Sequence, residues 1–154
     1  MDTRTLARRG LLGIQALVAV TALAGGIALI AGSLSPGAAG AITADPSFLA
    51  GSPFADYLIP GILLAVVIGG MHAASFVLTL RRVGAALFVS AATAFGMLIW
   101  IFVQIAIIPF SPLQAVYFAL GLAECGLIMV ALGLFAPVTA PAPARAARRP
   151  VRAR

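Results

Sequence analysis

Charged residues are scarce in this chain. They make up 9% of its 154 residues, whereas 62% are hydrophobic and the mean hydropathy is +1.13. A typical soluble domain is about 25% charged and about half apolar. The scarcity of charge excludes a disordered chain and a soluble globular enzyme, and it predicts an integral membrane protein.

Cysteine and lysine are also scarce or absent. The single cysteine, Cys125, excludes a disulfide framework, a CxxC redox pair and a cysteine-based zinc site. All ten basic residues are Arg, and with four acids the net charge is +6 and the pI is near 11.4. Such basicity can indicate nucleic-acid binding. The Arg residues lie at the ends of apolar runs, however, so we expect anionic lipid headgroups as the partner and no nucleic acid.

Four apolar segments are long enough to cross roughly 30 Å of hydrocarbon as helices. They cover about 11–32, 58–80, 83–108 and 114–136. This spacing predicts an all-α, polytopic membrane protein, an up-down bundle of four transmembrane helices within 11–136. Residues 1–10 form a short tail, 33–57 an outer loop, and 137–154 an Arg- and Pro-rich tail that we expect to be disordered.

The distribution of Arg predicts the orientation. Every Arg lies in the N-terminal tail, in the Arg81-Arg82 turn or in the C-terminal tail, and none lies in the two intervening loops. The positive-inside rule therefore places both termini in the cytoplasm. Abundant Ala and Gly, with Arg in place of Lys, is typical of a GC-rich bacterial genome, so we expect a bacterial plasma (inner) membrane.

An export signal is the alternative interpretation of the first helix. Arg8-Arg9 followed by an apolar run loosely resembles a twin-arginine signal, and Ala39-Gly40-Ala41 resembles a cleavage site. The apolar run of about 22 residues is longer than the 7–15 or so of a signal. We therefore expect the first helix to be retained.

The outer loop carries one local signal. Asp45-Pro46 predicts the start of a short helical turn that ends near Gly51, and the loop aromatics Phe48, Phe54 and Tyr57 are expected at the membrane interface. The loop is either a linker that pins helix two or a lid or docking surface outside the membrane.

Glu124 is the strongest single signal inside the membrane. It lies about 15 Å from the outer end of helix four, where an acid costs about 2.5–3.5 kcal/mol to insert. The low dielectric disfavours its ionised form. Helical spacing places it on one inward face, which consists of Gln114, Tyr117, Gly121, Glu124 and Ile128.

Other polar residues lie at similar depths. Trp100 and Gln104 share a face of helix three, and His72, Ser75 and Thr79 share a face of helix two. Counting residues places His72 about 6 Å deeper than Glu124, a separation that suits a water-mediated link. The candidate intramembrane polar or proton site therefore comprises Glu124, His72, Gln104, Trp100 and Tyr117. The alternative is that these groups only hold helices together, at about 0.6 kcal/mol per hydrogen bond.

Small residues form stripes on the first two helices. Gly61, Ala65, Gly69 and Ala73 recur every fourth residue on helix two, and Gly25, Gly26, Ala28 and Gly32 lie on helix one. Such stripes let helices approach closely, either in a compact bundle or in an oligomer.

The motif search favours no enzyme. The sequence has no P-loop, no GxSxG and no HExxH, so we predict no catalytic, cofactor or metal site. The segments GSPFADYLIPG, WIFVQ and LQAVYFALGLAE resemble small uncharacterised four-helix integral membrane proteins of bacteria, a general pattern without a named family. Two functions follow as hypotheses. One is an accessory or structural protein that assembles with itself or with a membrane protein, and the other is a small transporter or channel subunit with Glu124 as a buried protonatable site.

Overall fold

Four long helices make up most of the computed structural model, which describes residues 2–35 and 45–135. They are α1 (Thr3–Leu34), α2 (Leu58–Leu80), α3 (Ala86–Ile107) and α4 (Pro112–Leu132). The prediction of an all-helical chain with four helices apolar and long enough to span a membrane is confirmed. The possible cleavage site at 39–41 and the tail at 137–154 lie outside the described residues.

Helix α1 begins earlier than the hydropathy pattern predicts. It starts at Thr3, so most of the predicted 1–10 tail is helical. The Arg8 guanidinium lies on this first part of the helix and donates hydrogen bonds to the carbonyls of Thr79, at 3.2 Å, and Leu80, at 3.0 Å. The last carbonyls of a helix lack helical partners and carry partial negative charge, so Arg8 stabilises the end of α2.

Helix α2 contains a π-helical segment. Leu63–Gly69 forms this segment between α-helical parts at Leu58–Ile62 and Gly70–Leu80. A π-helix pairs residues five apart, which widens the turn and changes the register of the side chains that follow. His72 is the third residue after the π segment, so this change of register affects which way it faces.

The turn after α2 places an Arg in an unfavourable backbone conformation. Arg82 has φ 55°, and the Val83 N–H donates to the Leu78 carbonyl at 3.1 Å, as in a Schellman cap. Helix α4 ends in the same way, but with Gly133 at φ 79°. The left-handed conformation costs a non-glycine residue about 1–2 kcal/mol. The chain therefore keeps a charge at a position that suits glycine better.

The helices form a ring in which α1 and α3 each pack against both α2 and α4. The closest approach is between α1 and α2. A Cβ atom on Gly26 would lie 2.6 Å from the Gly61 carbonyl oxygen and 2.7 Å from the Ala65 nitrogen. The predicted close packing through small residues is confirmed at this crossing.

The outer surface of the bundle is apolar and its centre is partly polar. Val20, Phe88 and Phe102 are 67%, 78% and 71% exposed, while Gln15 and Glu124 are 0% exposed. Soluble proteins show the reverse distribution, and large exposed apolar areas mark contact with lipid or protein. This distribution suits a surface that is solvated by lipid chains.

Candidate functional site

Polar side chains form a buried layer across the middle of the bundle, which we call the polar layer. Its six members, each no more than 1% exposed, are Gln15, His72, Ser75, Ser90, Thr93 and Glu124. Apolar residues close it on both sides. Val18, Ile68 and Met97 belong to a buried cluster towards the outer loop, and Leu11 and Ile128 belong to another towards the Arg-bearing end.

His72 and Glu124 face each other within this layer. His72 Nε2 lies 3.4 Å from Glu124 Oε2, and both side chains are completely buried. Counting residues along the helices predicts that the two residues differ by about 6 Å in depth and that a water molecule bridges them. The structure instead brings them within reach of a direct interaction, although 3.4 Å exceeds the usual hydrogen-bond range of about 2.7–3.2 Å.

The tautomer of His72 follows from its other ring nitrogen. Nδ1 lies 2.7 Å from the Ile68 carbonyl oxygen, which can only accept, so Nδ1 carries a proton. Nε2 then presents a lone pair to the carboxyl group when the ring is neutral. A buried carboxylate facing that lone pair would be an uncompensated charge.

Two further hydrogen bonds tie the remaining helices together. Gln15 Nε2 on α1 donates to Ser90 Oγ on α3 at 2.8 Å. The Thr93 hydroxyl donates to the Val89 carbonyl at 2.8 Å, so the Ser75 hydroxyl on α2 is the donor in its 2.8 Å contact with Thr93. With the His72–Glu124 contact between α2 and α4, the polar layer connects all four helices.

The polar layer has more acceptors than donors. Gln15 Oε1 and both Glu124 oxygens have no hydrogen-bond partner among the described residues. Amide and carboxylate oxygens accept hydrogen bonds, and a protonated carboxyl group can also donate. Within the described part of the chain, no group of three or more His, Cys, Asp or Glu residues could hold a metal ion.

The other predicted site residues lie elsewhere, around a cavity of about 300 Å³ beneath the outer loop, which we call the outer cavity. Trp100, Gln104 and Tyr117 line it together with Tyr57 and Gln114. The five residues predicted as one site therefore separate into two groups. His72 and Glu124 belong to the polar layer, and the three others belong to the cavity.

The described part of the outer loop, residues 45–57, lies over this cavity. The predicted turn is confirmed as a 3₁₀ helix at Pro46–Leu49, in which the Asp45 carboxylate accepts from the Ser47 N–H at 2.8 Å. This hydrogen bond lowers the pKa of Asp45. Leu49 and Tyr57 are buried, and both line the cavity. The loop thus packs onto the bundle as a lid would.

Tyr57 joins the loop to the start of α2. Its hydroxyl donates to the Asp45 carbonyl oxygen at 3.1 Å, and the side chain is only 6% exposed. Burial raises the pKa of Tyr57, and the nearby charge of Asp45 adds to the shift. The phenol therefore stays protonated and keeps its donor role well above neutral pH.

The predicted site omits Gln15 and Ser75, and the sequence analysis missed two further members of the polar layer, Ser90 and Thr93. A signal for them exists, since both fall at helical spacing on the face of α3 that also buries Ala94, Met97 and Ile101. On α4, the predicted inward face is confirmed for Gln114, Gly121, Glu124 and Ile128, which are buried.

Comparison with protein-family models, with curated proteins and with solved structures finds no match to this chain.

Proposed function

We propose that this chain is an up-down four-helix protein of a bacterial plasma membrane with both termini in the cytoplasm. The N-terminal end of α1 lies beside the C-terminal ends of α2 and α4, since Arg8 binds the end of α2 and a Cβ on Gly10 would lie 2.9 Å from Leu127 of α4. The short connections on either side of α3 make its neighbours antiparallel to it.

The charges of the two ends support this orientation. Every described Arg belongs to the end that carries the start of α1 and the turn after α2, namely Arg4, Arg8, Arg9, Arg81 and Arg82. The described loop at the opposite end carries Asp45 and Asp56 and no Arg. Arg residues in short segments next to membrane spans stay on the cytoplasmic side, where anionic lipids attract them.

Within this architecture we assign an accessory or structural role, in which the bundle assembles with a membrane protein or with a second copy of the chain. The polar layer carries this proposal. It connects all four helices, and apolar clusters flank it on both sides, which suits contact between helices better than conduction past rings of carbonyls or charged side chains. Buried polar contacts of this kind fix which helices pair and in which register.

Glu124→Gln tests this role. The amide has nearly the same shape and can donate a hydrogen bond to His72 Nε2, but it cannot release or take up a proton. We expect the purified variant to keep the helix content and the assembly state of the wild type. We also expect vesicles that contain the wild-type protein to conduct protons no faster than empty vesicles. Proton flux through the wild type that disappears in the variant would contradict a purely structural role.

A transporter or channel subunit is the second candidate, favoured by the unpartnered acceptors around Glu124. Ile68 and Met97 line the outer cavity, and they also belong to the apolar cluster next to the polar layer. These side chains therefore lie between the cavity and the His72–Glu124 pair. Intramembrane ionisable residues commonly mark ion and proton paths. The flux measurement with Glu124→Gln distinguishes the two candidates.

A further inference from the structure

We propose that the outer cavity binds a neutral, mainly apolar molecule that carries a carbonyl oxygen. The cavity measures about 300 Å³ and lies between the outer halves of the four helices and the loop. No Asp, Glu, Lys or Arg is among the described residues that line it. A charged ligand would therefore lose its hydration without gaining a counter-charge, which excludes ions and zwitterionic headgroups from the cavity itself.

Two hydrogen-bond donors at the cavity have no partner among the described residues. Gln114 is 3% exposed, and its Oε1 accepts from the Ser111 N–H at 2.9 Å, which leaves the Nε2 amide group unpartnered. The Trp100 indole N–H is also buried and unpartnered. Both groups donate only, so the complementary ligand must offer an acceptor.

The other polar groups on the cavity wall are not limited to donating. Thr21 donates to the Leu17 carbonyl at 2.7 Å, Tyr57 donates to the Asp45 carbonyl at 3.1 Å, and Gln104 and Tyr117 can each donate and accept. A carbonyl oxygen has two lone pairs, and it can accept from Trp100 or Gln114 while the rest of the molecule fills the apolar volume. Unpartnered buried donors cost about 1–3 kcal/mol each, so a ligand that satisfies them gains affinity.

The volume sets the size of the ligand. A dry apolar cavity of about 150 Å³ holds benzene, so about 300 Å³ accommodates a two-ring molecule or the first part of an acyl chain. In a membrane, this chemistry is present in the ester group of a phospholipid and in the ring of an isoprenoid quinone. The phospholipid and the quinone both carry a carbonyl group, but the rest of each molecule is different.

The chain offers matched variants for a test. Gly25 lines the cavity, and a Cβ atom there would meet only Leu64, at an ordinary 3.5 Å, so Gly25→Leu adds bulk at the cavity wall from a position where the Cβ itself meets no backbone atom. Gly13→Leu, also on α1, is the control because nothing lies within 4 Å of that position. Gln114→Glu keeps an oxygen that can accept from the Ser111 N–H and replaces the free donor with a second oxygen.

The test uses the full chain in detergent with 1-indanone as the probe and indane, the same skeleton without the carbonyl, as the comparison. Trp100 is the only Trp, so its single indole N–H resonance reports on the cavity. We expect indanone to shift this resonance saturably and to bind about tenfold more tightly than indane. Gly25→Leu should abolish binding, Gln114→Glu should weaken it about tenfold, and Gly13→Leu should leave it unchanged.

Separate titrations with dioctanoyl phosphatidylglycerol and with a short-chain isoprenoid quinone identify the natural class of ligand. The compound that competes with indanone for the cavity represents that class. Equal affinity for indanone and indane would overturn the carbonyl requirement. Indanone binding that survives Gly25→Leu in a folded variant, or no binding to the wild type, would overturn the site. Circular dichroism establishes whether each variant is folded. If Gly25→Leu does not fold, the affinity of Gln114→Glu for indanone tests the site independently.

Discussion

Replacing His72 with Leu is expected to lower the free energy of unfolding by about 1–3 kcal/mol. The change removes the imidazole that contacts the Glu124 carboxyl group. Both side chains lie in the centre of the bundle and are completely buried. Breaking a buried charged pair can cost about 3–5 kcal/mol. The smaller value applies because the contact is long, at 3.4 Å, so its loss leaves one buried polar group without a partner rather than breaking a close ion pair.

A double-mutant cycle measures this effect. Thermal or denaturant unfolding in detergent, followed by circular dichroism, compares His72→Leu, Glu124→Leu and the double variant. We expect the double variant to be more stable than the sum of the single effects predicts, by about 1 kcal/mol or more, because no polar group is then left unpaired. His72 is the only histidine, so its ¹⁵N resonances provide a control: Nδ1 should be protonated in the wild type, and the Nε2 signal should shift in Glu124→Gln. Additive effects, or an unprotonated Nδ1, would contradict the pairing.

Gly26→Ala is expected to destabilise the protein by about 2–3 kcal/mol. The new methyl group would lie 2.6 Å from the Gly61 carbonyl oxygen and 2.7 Å from the Ala65 nitrogen, which are backbone atoms that cannot rotate away. Helices α1 and α2 must therefore move apart where they pack most closely. The same unfolding measurement in detergent determines the loss.

Gly13→Ala on the same helix is the matched control, because nothing lies within 4 Å of that position. Alanine favours a helix over glycine by about 0.8–1.0 kcal/mol, so this variant should be as stable as the wild type or slightly more stable. The two identical substitutions are therefore expected to have opposite signs. A similar effect at both positions would contradict the close approach of α1 and α2.

Much of the fold could be predicted because the length of an apolar run indicates the length of a membrane-spanning helix. The bounds of α2 agree with the predicted 58–80. The start of α1 could not be predicted in this way, because hydropathy treats Arg4 and Arg8 as the end of a span. The helical backbone continues through them, since a long Arg side chain can reach the carbonyls at the end of α2.

The site was harder to predict than the fold, because depth along a helix does not determine which side chains meet. Counting residues at a uniform rise separates His72 from Glu124 in depth, but α2 contains a π segment that ends at Gly69, three residues before His72. The two side chains meet at 3.4 Å. The sequence indicates only weakly that Ser90 and Thr93 belong to a polar site. Hydroxyl side chains in a helix can donate a hydrogen bond to a carbonyl of the same helix, as Thr93 does to Val89. Their role in the polar layer depends on which residues of α1 and α2 face them.

The central claim is that the four helices cross the membrane and leave the Arg-bearing end in the cytoplasm. Single cysteines at Gly84, in the turn after α2, and at Phe110, between α3 and α4, test it in a Cys125→Ala background. A membrane-impermeant thiol reagent applied to intact cells should label Phe110→Cys and should reach Gly84→Cys only after the membrane is permeabilised. Labelling of Gly84→Cys in intact cells would contradict the account.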